Sequence, residues 1–217
     1  MRSLLLATVF LALGAPAAHA AVTVDMEVSP VEISYGKAAE ITGTALVDGA
    51  PFVGQPVRLE GRRYPFDGSY GVIAEAITAA DGTYRFERKL DRNWDLRVRV
   101  GEAVSRRERA YVFPAFTLSF RARNVRVIRL TQRYRVPRGV RLDKPTIFYV
   151  ARRGSARAPR AAAAELERVG AGRYRATALV RIPAAWKGRF RYASCFRYTG
   201  GSGMGNPRAT CPQRFRF

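Results

Sequence analysis

Histidine is almost absent from these 217 residues, and the single one, His19, stands inside an N-terminal stretch built like a secretory signal. Arg2 supplies the positive start, an apolar run follows from Leu4 to Leu13, and Gly14 and Pro16 break it. Ala18-His19-Ala20 then fits the small-residue rule for cleavage after residue 20. A cleaved chain would hold no imidazole, which excludes Ser-His-Asp and Cys-His nucleophile systems and every His-ligated metal site. The apolar run has about half the length of a membrane span, and no later stretch is long enough to cross as a helix. No cysteine stands directly after the apolar run, which argues against a lipid anchor.

Cysteine is scarce too. Cys195 and Cys211 are an even pair in a chain expected to be exported, and a disulfide is their simplest reading. It would close a loop that stabilises the fold by roughly 3 kcal/mol in the chain-entropy picture. Two free thiols or a metal pair would lack the further ligands a site needs.

The most unequal absence is that of acids. Residues 21–114 carry 13 Lys and Arg against 14 Asp and Glu, a net of −1. Residues 115–217 carry 24 against only Asp143, Glu165 and Glu167, a net of +21. Such a half-chain attracts polyanions. Arg outnumbers Lys 34 to 4, and the bias extends through the neutral half. Coding bias therefore accounts for the choice of Arg, but not for the missing acids beside it.

What is present is period-2 alternation, the signature of half-buried strands. Ile41, Gly43, Ala45 and Val47 alternate with polar positions, as do Val57 and Leu59, Tyr84 and Phe86, and Leu96, Val98 and Val100. Turn signals at Asp48-Gly49, Asp67-Gly68, Asp81-Gly82 and Asp91-Arg92-Asn93 separate them. Further strands near 22–28, 70–79 and 103–113 bring the first half to sandwich spacing.

The second half repeats the design with an arginine outer face. Phe116, Leu118 and Phe120 alternate with Thr117, Ser119, Arg121 and Arg123. A change of phase near Val127-Ile128 suggests a bulge, after which Arg129, Arg133 and Arg135 face outward. Arg173, Arg175 and Arg181 oppose Tyr174, Ala176, Ala178 and Val180; Arg189, Arg191 and Arg197 oppose Phe190, Tyr192 and Phe196. Ile147 to Val150 reads as a covered central strand. Ala161 to Val169 suits either a strand or one helical turn, with the strand favoured. Arginines at alternate positions stand about 6.5–7 Å apart. Such a ladder suits phosphodiester or carboxylate polymers. The interleaved aromatics fall on the buried face by parity, so they are not base-stacking platforms.

Gly54-Gln55-Pro56-Val57-Arg58-Leu59 and Thr78-Ala79-Ala80-Asp81-Gly82-Thr83-Tyr84-Arg85-Phe86 together resemble the bacterial immunoglobulin-like and transthyretin-like (carboxypeptidase-regulatory-like) repeats of secreted proteins. The resemblance covers residues 22–113 and implies a β-sandwich, while saying little about activity. The second half is immunoglobulin-like by strand pattern alone. The expected architecture is all-β: two tandem antiparallel β-sandwich domains, 21–114 and 115–217, after a signal peptide over 1–20.

Other sites weigh less. Residues 197–210 are glycine-rich but lack the GK[ST] of a phosphate loop, and read as a flexible hairpin loop held by the disulfide. Asp25, Glu27, Asp48, Asp67 and Asp81 have no calcium-loop spacing. A carboxylate pair for glycoside hydrolysis can converge from anywhere, but a chain without histidine has few acid–base options. An outer-membrane barrel needs longer strands with a continuous apolar face. The expectation is an exported, non-catalytic binding or structural protein of the cell surface, without cofactor or metal. Its arginines 121, 123, 129, 133, 135, 173, 175, 181, 189, 191 and 197 would contact an anionic envelope polymer. The alternative is a carbohydrate- or protein-binding accessory module in which the charge is incidental. No specific nucleic acid and no membrane span are expected.

Overall fold

The computed structural model describes residues 20–124, 126–154, 160–186, 189–195 and 201–206. The expected signal peptide, Arg197 and Cys211 lie outside the described residues. Strands in the first half are β1 Val22–Val24, β2 Glu27–Ser29, β3 Glu32–Ser34, β4 Ala38–Val47, β5 Ala50–Pro51 and β6 Pro56–Arg63. They continue with β7 Gly71–Ile77, β8 Thr83–Lys89, β9 Trp94–Val100, β10 Ala103–Val104 and β11 Glu108–Phe113. The second half holds β12 Ala115–Asn124, β13 Val127–Arg135, β14 Thr146–Arg152, β15 Arg160–Ala164, β16 Glu167–Gly170, β17 Arg173–Arg181 and β18 Phe190–Cys195. One 3-10 turn, Ala184–Trp186, precedes β18. The fold is all-β and sandwich-like, and no described helix is long and apolar enough to cross a membrane.

Four sheets form. In the first half β4 pairs with β1, β2, β5 and β8, while the other sheet runs β3-β11-β9-β6-β7 with β10 on β9. The second half has β12-β13-β17-β16 and β15-β14-β18. No strand ladder among the described residues crosses the buried Pro114. Turn chemistry places the hairpins as expected. At Asp48-Gly49 both residues take positive φ, 50° and 82°, the two-residue turn that matches strand twist between β4 and β5.

Two expectations hold and sharpen. The register of β12 on β13 shifts opposite Val127-Ile128, where Ala122 pairs with Ile128 and Asn124 with Val127, so that Arg123 is the extra residue. The chain reverses there: Asn124 Oδ1 accepts the Arg126 amide at 2.9 Å. The ambiguous stretch from Ala161 becomes two strands, β15 and β16, because it finds partners in β14 and β17.

A correction concerns the glycine-rich loop. Its described part, residues 201–206, docks on the first half. Met204 is fully buried in the core of Ile41, Leu59, Leu96 and Val112. The same apolar cluster takes in Tyr134, Val136, Val140, Leu142 and Tyr174 from the second half. A separate core lies between the second half's own sheets, built on Ile128, Leu130, Phe148, Val150 and Val180, with Trp186, Phe190 and Tyr192 packed against it.

Candidate functional site

The sheet β12-β13-β17-β16 positions most of the expected arginines. Along β17 burial alternates strictly: Tyr174, Ala176, Ala178 and Val180 point inward, and Arg173, Arg175, Thr177, Leu179 and Arg181 point out. Register carries this across the sheet. Arg135 opposes Arg173, Arg133 opposes Arg175, and Thr131 opposes Thr177 on β13 and β17. On the other side Arg121 opposes Arg129, Ser119 opposes Thr131, and Thr117 opposes Arg133. Directly opposite residues share a face. The outcome is one surface with rows of arginine at both ends and a belt of hydroxyls between them. Thr131 Oγ1 lies 3.4 Å from Thr177 Oγ1 within that belt.

The surface is short of counter-charge. Only Arg175 has a carboxylate partner, Glu167 at 2.7 Å; Arg121, Arg129, Arg133, Arg135, Arg173 and Arg181 have none among the described residues. Like charges directly opposite one another oppose sheet pairing by roughly 0.2–1 kcal/mol per pair. The face therefore holds repulsion that an anion would relieve. Arg129 also has a buried Nε with no hydrogen-bond partner. It lines a cleft of 360 Å³ with Ser119, Arg121, Thr131 and Arg133. A neighbouring cleft of 420 Å³ is lined by Arg133, Arg135, Arg173 and Arg175 together with Phe116 and Val169.

The first half disposes of its charge in the opposite way. Asp95 is fully buried on the outer side of β9 and accepts hydrogen bonds from Arg109 at 2.7 Å and Arg62 at 3.1 Å, with Arg107 3.6 Å away. Burial pushes its pKa up, but the bonds from Arg109 and Arg62 and the charges of Arg109 and Arg107 outweigh that and hold it below the usual carboxylate range. Glu60 behaves alike: burial raises it, and Arg99 and Arg97, at 2.9 and 2.7 Å, bring it lower overall. Tyr70 covers Arg97 at 4.1 Å and Phe66 covers Arg109 at 4.2 Å. These first-half arginines are committed to internal partners.

Not all of the expected set converges. Arg123 is exposed where the register slips beside the β12–β13 hairpin. Arg189 precedes β18, and Arg191 lies on β18 opposite Ala151 in the other sheet. Parity tells inside from outside, but not which of two sheets a strand joins. The sequence reading also placed Phe116 and Phe120 on the buried face. Their parity is right, since they oppose Tyr134 and Leu130, but β12 is the edge strand of its sheet among the described residues, and they are 57% and 50% exposed. The hydroxyl belt was signalled by parity alone and had no chemical motif.

The chain matches no protein-family model and no curated protein sequence. Among solved structures it is similar to trypsin-activated alpha-2-macroglobulin of Escherichia coli, at 14% identity and a TM-score of 0.33, over 80% of this chain and 14% of that one. It is also similar to a DUF4785 family protein of Legionella pneumophila, at 11% identity and a TM-score of 0.40, over 79% of this chain and 45% of that one. The chain thus spans less than half the length of either.

Proposed function

We propose that this is an exported, non-catalytic binding or structural protein of the cell surface, whose arginine sheet rests on an anionic envelope polymer. The observation that carries the reading is the outer face of β12-β13-β17-β16: seven arginines in register with one carboxylate. A polymer of phosphate or carboxylate groups would relieve the repulsion along that face, and its affinity would fall with salt as bound counterions are released. The signal-like residues 1–20 support export, and Cys195 at the end of β18 is proposed to bond to Cys211. Two immunoglobulin-like domains are part of this proposal. The strand order β12-β13-β17-β16, like an A-B-E-D sheet, and the second sheet β15-β14-β18 support that reading.

The test is salt elution of the full mature chain from heparin resin. R133S/R173S/R181S removes three exposed positions of the face. R88S/K89S/R106S removes the same charge from the first half. The reading expects the first variant to elute at clearly lower salt and the second to stay close to wild type. Equal shifts would assign retention to net charge, and a wild-type protein that flows through at low salt would overturn the proposal.

A further inference from the structure

The edge of the arginine sheet has chemistry of a different kind. Strand β12 is ten residues long, and among the described residues it pairs only with β13 and no strand lies along its other margin. Its backbone amides and carbonyls along that margin are a template for one more strand. Side chains do little to blunt it: Phe116 and Phe120 stand half exposed on one side, Thr117 and Ser119 on the other. Arg121 and Arg123 close one end. Long edges with exposed apolar groups are what folded proteins cover.

We infer that β12 receives an extended acidic polypeptide from another molecule by strand addition, with alternating apolar residues set against Phe116 and Phe120 and carboxylates set against Arg121, Arg123 and the neighbouring Arg129 and Arg133. A backbone edge is matched only by another backbone, so the occupant is a polypeptide and not a polysaccharide. Charge selects its sign. A second copy of this chain would join two arginine faces into one sheet and add their repulsion. The chain's own remaining segments are no better suited: residues 1–19, 155–159, 187–188, 196–200 and 207–217 contain not one Asp or Glu, and several Arg. An acidic strand must therefore come from elsewhere. This inference rests on the edge of β12 and stands whether or not the sheet's flat face binds a polymer.

Hydrogen exchange on the full mature chain tests it, with a synthetic peptide of alternating Glu and Val matched to the length of β12. The expected result is slowed exchange confined to residues 115–124, with none over 173–181. A peptide of alternating Lys and Val should give no protection. R121E/R123E should weaken the acidic peptide about tenfold and let the basic one bind. Protection spread over β17 would mean face electrostatics alone and would overturn strand addition. Slow exchange along both margins of β12 in the free protein would show the edge already covered by the chain itself. A concentration-dependent dimer that protects the same residues would replace the acidic partner with a second copy. Either outcome also overturns the inference. Heparin elution reports on the flat face separately, so the two proposals fail independently.

Discussion

The side-chain amide of Asn93 donates to the backbone carbonyl of Gly205 at 2.9 Å, a bond between residues 112 positions apart. Asn93 Oδ1 accepts the Val112 amide at 2.8 Å, and the Asn93 amide donates to Gly203 at 2.7 Å. One buried residue thus ties β11 to the docked loop. Asn93→Ala leaves the Val112 N–H and the Gly205 C=O without partners, and each orphan costs about 1–3 kcal/mol. Urea unfolding should show a loss of about 2–5 kcal/mol. A shift no larger than that of the exposed Arg88→Ala would mean the latch contributes nothing.

The same loop gives a second prediction. Gly203 has φ +64°, and a Cβ there would lie 2.6 Å from the Tyr64 ring. Gly203→Val should therefore expel the loop. Met204→Ala, which keeps the backbone, should cost about 2–5 kcal/mol through the cavity it leaves. Because both Asn93 and Met204 act through docking, N93A/M204A should cost less than the sum of its single changes. Strict additivity in a thermal or urea series would show that the two act independently.

These contacts were invisible to sequence reasoning for a physical reason. Period-2 alternation records one-sided burial, and it correctly set Tyr84 and Phe86 inward after the Asp81-Gly82 turn and Arg173, Arg175 and Arg181 outward. It carries no signal for strand order. The edge position of β12 and the separation of Arg191 from the main face follow from which strands pair at long range. Asp95 is in phase with the outward Arg97 and Arg99 of β9, yet it is fully buried because Arg62, Arg107 and Arg109 enclose it. The glycine content of residues 200–205 suggested looseness. In the fold, glycine at 203 is what lets the backbone reach the Tyr64 ring.

Asp95 and Glu60 set the acid limb of stability. Both have folded pKa values below the ordinary carboxylate range, so the unfolded chain takes up protons first as the pH falls. Their contribution is present in full above about pH 5 and is lost below about pH 4 as the folded carboxyls protonate in turn. Asp95→Asn should cost about 1–3 kcal/mol at pH 7, where it takes the charge-assisted acceptor away from the part-exposed guanidinium groups of Arg62 and Arg109. It should also flatten the decline below pH 4. An unchanged acid limb in D95N, measured by urea unfolding across pH, would show that other carboxylates govern it.

The alkaline limb isolates a different pair. The Tyr134 hydroxyl is buried 2.8 Å from Thr146 Oγ1, and burial pushes its pKa up to about 12, against a smaller lowering by Thr146. Burial, with the Asp25 charge, raises Tyr84 further still. An unfolded tyrosine ionises near pH 10, so the native state holds more protons above that point and stability must fall as pH rises through 12. In most proteins lysine titration would blur this limb. Here there are 4 lysines against 34 arginines, and arginine keeps its charge throughout. Tyr134→Phe should cost about 1 kcal/mol at pH 7 for the lost hydrogen bond. It should also make the loss between pH 10 and 12 shallower, leaving the part due to Tyr84. If the slope of stability against pH is the same in both proteins, Tyr134 is not a source of the alkaline limb.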